Sequence, residues 1–252
     1  MRPFTIISLL GVALWPPVSA IVNGIEASAV DYPYMAGLLS AYLSGISYQF
    51  RCGGTVIGRR TVLTSGFCVE GLSAGELKVR VGSAHRNKGG TVVRVSKIIT
   101  HPNYNSNTFD YDYAIVHLEA DVPFAAALLP ETDPALTNDP AVRVAGWGSQ
   151  DSTLTIPTML QTADMLIVDR STCDSAWNDL NSITSSMICV SSNEAMPGTS
   201  VCRGDLGGPI VDEARLTLYG VVSLQVNCSA VPRPNIASSV FKVKSWIEGN
   251  LI

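Results

Sequence analysis

The sequence predicts an all-β protein, and three observations carry that prediction. Short runs rich in Val, Ile, Thr and Tyr recur at strand length between turn signals. Glycine and proline are frequent, with 21 and 14 residues in a chain of 252, which suits turn-rich β structure better than a helical bundle or a disordered tail. Only the C-terminal stretch carries a helical period.

Residues 1–20 read as a secretory signal: Arg2, an apolar stretch from Phe4 to Trp15, then Pro16, Pro17, Val18, Ser19 and Ala20, with Val18 and Ala20 fitting the small-residue cleavage pattern. Cleavage there removes Arg2 and shifts the formal net charge from −4 to −5. Strand-like runs follow at Lys78–Val81, Val92–Ile99, Tyr113–Leu118, Val142–Ala145, Leu160–Val168 and Leu216–Leu224, a spacing that fits a barrel or a sandwich. The stretch from Glu119 to Pro140, with Pro123, Pro130 and Pro134, breaks this rhythm near the middle and reads as a connection between two halves. From Ser239 onward, Val240, Val243, Ile247 and Leu251 share one helical face, with Ser238 or Ser239 as N-cap, so a helix is expected over 239–252.

Bulk properties narrow the function classes. The chain is 46% hydrophobic and 15% charged, long enough to bury a substantial core. Beyond the signal no run approaches the roughly 18 to 20 apolar residues of a membrane span, so a released protein is expected. A mildly acidic chain with no Lys/Arg block shows no nucleic-acid footprint. Cys52, Cys68, Cys173, Cys189, Cys202 and Cys228 form an even set behind a signal, which favours disulfides in an oxidising compartment. Counting alone leaves about fifteen pairings open. No CxxC pair occurs, and His85, His101 and His117 lack zinc-site spacing, so no metal or cofactor is expected.

Five motifs occur in order: Ile21-Val22-Asn23-Gly24; Cys52-Gly53-Gly54-Thr55-Val56-Ile57 with Val62-Leu63-Thr64; Asp112-Tyr113-Ala114-Ile115-Val116; Gly146-Trp147-Gly148; and Cys202-Arg203-Gly204-Asp205-Leu206-Gly207-Gly208-Pro209. Together they resemble the chymotrypsin- and trypsin-like serine proteases across residues 21–252. The resemblance implies two six-stranded antiparallel β-barrels, roughly 21–120 and 121–240, with a cleft between them and a C-terminal helix. It also implies disulfides Cys52–Cys68, Cys173–Cys189 and Cys202–Cys228, each closing a short loop and constraining the unfolded chain by about 3 kcal/mol.

The departures from the family pattern bear on function. Where the resemblance implies a catalytic histidine, before Cys68, the chain has Phe67, which accepts no proton. Where it implies the nucleophilic serine, within Gly-Asp-x-Gly-Gly-Pro, it has Leu206, which offers no lone pair. Asp112 of the implied triad remains, with Ser223 as its expected hydrogen-bond donor, while Asp110 is expected to be solvated. Gly204 and Leu206 occupy the oxyanion-hole positions. Ser200 stands at the base of the implied specificity pocket, so selection of Lys or Arg is not expected, and Gln225 and Asn235 stand where its walls are glycine. Leu224 replaces a tryptophan. Asn227-Cys228-Ser229 is a formal glycosylation sequon. Ile21 directly follows Ala20, so signal cleavage alone would free the amino group implied to pair with Asp205.

The expectation is therefore a secreted, monomeric, non-catalytic serine protease homologue that binds a protein partner in an extracellular proteolytic pathway. A hydrolase with residual or altered activity is the alternative.

Overall fold

A computed structural model describes residues 21–42, 45–136, 141–149, 156–212, 214–224, 228 and 233–252. Six strands, β2 (Met35–Tyr42), β3 (Ser47–Gly58), β4 (Thr61–Thr64), β5 (Leu77–Val81), β6 (Thr91–Thr100) and β7 (Ala114–Leu118), close into a barrel in the order β2-β3-β4-β7-β6-β5. A second set, β8 (Ala141–Gly146), β9 (Gln161–Val168), β10 (Met187–Ser192), β11 (Pro209–Asp212), β12 (Leu218–Leu224) and β13 (Asn235–Ser239), runs β8-β9-β10-β13-β12-β11, and the β8–β9 and β11–β8 pairings close it. All pairings are antiparallel, so the fold is two closed six-stranded barrels. The six strand-like runs expected from the sequence are all strands. The proline-bearing stretch joins β7 to β8 and holds a 3-10 turn at Pro134–Leu136.

Strand β5 shows why these residues form barrel walls: Leu77, Val79 and Val81 are buried and Lys78 and Arg80 are half-exposed, the two-residue period of a strand with one wet face. Strand β7 is buried throughout, because the C-terminal segment covers its outer side. There His117 donates from Nε2 to the Asn250 carbonyl at 2.7 Å.

The two barrels exchange their ends. β1 (Ile25–Glu26) precedes the first barrel in sequence but pairs with Thr162–Gln161 of β9, seating the Ile21 side chain in the second barrel's core with Val142, Val201 and Ile210. Conversely, Val240, Val243 and Ile247, which follow the last strand, join the first barrel's core.

The C-terminal helix is shorter than expected. A 3-10 turn covers Val240–Val243, and α2 is only Lys244–Glu248. The apolar face is as expected through Ile247, but Leu251 is outside the helix and 39% exposed. The chain leaves the helix because its last residues are tied to the first barrel: Asn250 to His117, and the Ile252 N–H to the Thr61 hydroxyl at 3.1 Å. A second helix, α1 (Arg170–Trp177), was not expected. Asp169 caps it by accepting from the Thr172 N–H at 2.9 Å, and Cys173 and Trp177, one turn apart, are its buried face. The disulfides are Cys52–Cys68, Cys173–Cys189 and Cys202–Cys228, the pairs the resemblance implies.

Candidate functional site

Residues from both barrels meet at their junction. Phe67 begins a 3-10 turn after β4, and Asp112 lies just before β7, both in the first barrel. Ser223 on β12 and Leu206 in the loop before β11 come from the second. The Leu206 carbonyl accepts from the Gly53 N–H at 2.8 Å, a direct backbone link between barrels.

Asp112 is the buried charge of this junction. Its Oδ1 accepts from the Phe67 backbone N–H at 2.8 Å and its Oδ2 from the Ser223 hydroxyl at 2.6 Å. Burial pushes its pKa up to about 6, against the lowering effect of the hydrogen bonds from Ser223, Phe67 and Gly66. The Phe67 ring is 38% exposed and leans on Phe109, with ring centroids 5.9 Å apart. Tyr104 closes over the same spot: a Cβ at Gly66 would lie 3.1 Å from the Tyr104 ring and 3.2 Å from Asp112 Oδ1. Neither Tyr104 nor Phe109 was singled out from the sequence, where nothing in their spacing marks them.

Asp110 is not solvated as expected. It is half-buried, and its Oδ1 accepts from the hydroxyls of Thr184 (2.6 Å) and Ser186 (2.5 Å) and from the Tyr111 N–H (3.1 Å). These bonds hold a loop in which Phe109 (φ 57°) and Tyr111 (φ 50°) both sit in the left-handed region, costly for aromatic residues. The second barrel supplies two hydroxyls that no local pattern around Asp110 announces.

The three histidines lie elsewhere. His101 stacks on Tyr111 at 4.7 Å and abuts Trp246. His117 is bonded to Asn250, and His85 Nδ1 accepts from the Asn87 N–H at 3.2 Å. Among the described residues no group of His, Cys, Asp and Glu is arranged to hold a metal.

The loop Cys202–Pro209 is held open by glycine. Gly204 (φ 104°) and Gly207 (φ 78°) adopt backbone conformations that side chains resist, and a Cβ on Gly207 would strike the Thr64 hydroxyl and the Gly53 carbonyl. Within it Gly207 donates to Val222 and Asp205 to Cys202, whereas the N–H groups of Gly204 and Leu206 have no acceptor among the described residues. Those two donors flank the Asp205 peptide, an arrangement suited to a carbonyl oxygen or a carboxylate.

Asp205 points the other way, into the second barrel. It is 1% exposed and, among the described residues, accepts from the Gly148 N–H (2.7 Å) and the Cys202 N–H (2.8 Å). Burial raises its pKa to about 7. Ile21 is fully buried. In the 252-residue chain its nitrogen is a peptide amide, and among the described residues no cation pairs with Asp205.

At the pocket positions, the Ser200 hydroxyl lies 2.9 Å from Asn235 Oδ1, and Asn235 is buried. Both line a hollow of about 480 Å³ that is also bounded by Thr172, Ser191 and Arg233, whose guanidinium is committed to Asp179 at 2.6 Å. Ser200 and Asn235 therefore satisfy each other, and neither brings a charge. Gln225, Asn227 of the sequon and residues 1–20 lie outside the described residues.

Two antiparallel six-stranded barrels, with Asp112 and the Gly204–Gly208 loop meeting where they join, define a chymotrypsin-like two-barrel protein. Residues 21–247 match the family model described as Trypsin. Similar curated proteins include Trypsin 5G1 of Aedes aegypti, 32% identical over 90% of this chain and 84% of its own length. Trypsin beta of Drosophila erecta is 34% identical over 91% of this chain and 88% of its own length. Trypsin Blo t 3 of Blomia tropicalis is 34% identical over 91% and 85%. The chain belongs to the trypsin-like serine protease family.

Proposed function

We propose that this chain is a secreted, non-catalytic member of its family that uses the protease scaffold for binding, as a competitor, decoy or cofactor in an extracellular proteolytic pathway. The observation that carries the reading is the pairing of Phe67 and Leu206 around an Asp112 whose oxygens are already taken by a backbone N–H and Ser223. Neither Phe67 nor Leu206 offers a general base or a nucleophile at that junction. The three disulfides and the trypsin-like relatives support an extracellular setting. A residual hydrolase is the second reading, favoured by the N–H pair of Gly204 and Leu206, which have no acceptor among the described residues. Turnover of a fluorogenic peptide panel, measured together with labelling by a serine-directed covalent probe, separates the two. Neither is expected, and robust turnover would overturn the proposal.

A further inference from the structure

Between Glu76 and Asp110 the chain has no acidic residue, yet it holds six of the 17 Lys and Arg: Lys78, Arg80, Arg86, Lys88, Arg94 and Lys97. That concentration stands out in a chain whose net charge is −4. The fold gathers it on the β5–β6 side of the first barrel, where Lys78 and Arg94 are direct partners across the ladder. Like charges at such a position oppose folding.

Among the described residues the cations are held without being neutralised. Arg86 donates to the carbonyls of Pro157 (2.7 Å) and Ile156 (2.9 Å), and Arg80 donates to those of Gly89 and Asn87. Arg80 Nε is buried with no partner. Every ion pair among the described residues uses other cations. The nearest carboxylates do not compensate: Glu119 borders the hollow of Lys78 and Arg94 without an ion pair to either, and Glu76 accepts from the Ser73 N–H and hydroxyl.

Arg80 and Arg86 border a hollow of about 450 Å³ whose other walls include Leu39, Tyr48, Phe50 and Ile156. The Arg86 guanidinium lies 5.8 Å from the Phe50 ring centre and the Lys78 ammonium 3.9 Å from that of Tyr48. Positive charge and aromatic rings thus occur together.

We propose that this face docks an acidic segment of a partner protein that also carries apolar or aromatic side chains, its carboxylates meeting the six cations and an apolar side chain filling the hollow. A sulfated polysaccharide would match the charge and leave Tyr48, Phe50 and Ile156 without a complement, so the lining favours a peptide. The proposal does not rest on the reading of the cleft and would stand if the protein proved to be a peptidase.

The test is fluorescence anisotropy on the whole secreted protein with three probes: a twelve-residue peptide alternating Asp or Glu with Phe and Ile, the same peptide with Asn and Gln for the acids, and a heparin dodecasaccharide. The acidic peptide is expected to bind best and to weaken steeply with salt. Replacing exposed Lys88, Arg94 and Lys97 together by Gln, which touches none of the internal bonds of Arg80 and Arg86, should weaken it about tenfold or more, while Arg59→Gln, elsewhere, should not. Equal binding of the neutral peptide, tighter binding of the heparin fragment, or an unchanged affinity in the triple variant would overturn the proposal.

Discussion

The most exposed consequence of the structure concerns Asp205 and the amino group of Ile21. Asp205 is 1% exposed, and burial, against the lowering effect of the Cys202 and Gly148 N–H donors, holds its carboxyl at about 7 where an unfolded aspartate sits near 3.8. A rise of about three units is worth on the order of 4 kcal/mol between the two protonation states. The sign follows from proton counting: between pH 4 and 7 the folded chain holds the proton that the unfolded chain has lost, so stability falls as pH rises and the full penalty is present above pH 7. A free Ile21 amino group beside Asp205 would remove that penalty by pairing with the carboxylate, and stranding the charge would cost roughly 3 to 5 kcal/mol. The comparison is between protein beginning at Ile21 and protein with one added residue ahead of it, each melted by calorimetry from pH 4.5 to 8. Melting temperatures should agree near pH 4.5 and separate above pH 7 by about 8 to 15 °C, at roughly 2 to 4 °C per kcal/mol for a chain of this size. Asp205→Asn should lose the separation. Two chains melting together at every pH would refute the pairing, and amino-terminal sequencing that finds another start would remove its premise.

Other outcomes can be checked more simply. Because burial raises Asp112 to about 6, Asp112→Asn should be near neutral at pH 5 and stabilising at pH 8, by about 1 to 2 kcal/mol; denaturant melts showing a loss at pH 8 would contradict this. Restoring serine alone at Leu206 should give no peptidase activity for want of a base, and restoring histidine at Phe67 as well should give at most weak turnover, since Ser200 and Asn235 bring no charge to the pocket; vigorous cleavage after Lys or Arg would refute the pocket reading. Asp169→Ala, which removes the cap of α1, should cost about 1 kcal/mol in urea unfolding.

Much of the architecture is legible in the residues themselves. Strands β5, β6, β7, β8, β9 and β12 announce themselves by alternation and branched side chains, since a half-buried strand must repeat every two residues. The disulfides and the barrel pairing came through the ordered motifs. Phe67 and Leu206 are visible because each is framed by residues that cannot slip, Cys68 on one side and Gly207-Gly208 on the other. Helix α1 escaped notice because one turn of buried face, Cys173 and Trp177, is too short a period to stand out.

The residues alone therefore dictate covalent and local features: which side chains stand at the junction, which lack a lone pair or a titrating proton, and where strands run. The tertiary structure alone decided the partners of the buried charges. Asp110 takes hydroxyls from Thr184 and Ser186, some seventy residues away. Ser200 is spent on Asn235, the helix ends early because Asn250 and Ile252 are tied to the first barrel, and six cations gather on the β5–β6 side with no ion pair among the described residues. Such outcomes depend on which distant groups the barrels bring within about 3 Å of one another, and hydrogen bonds and Coulomb forces act only after that approach has been made.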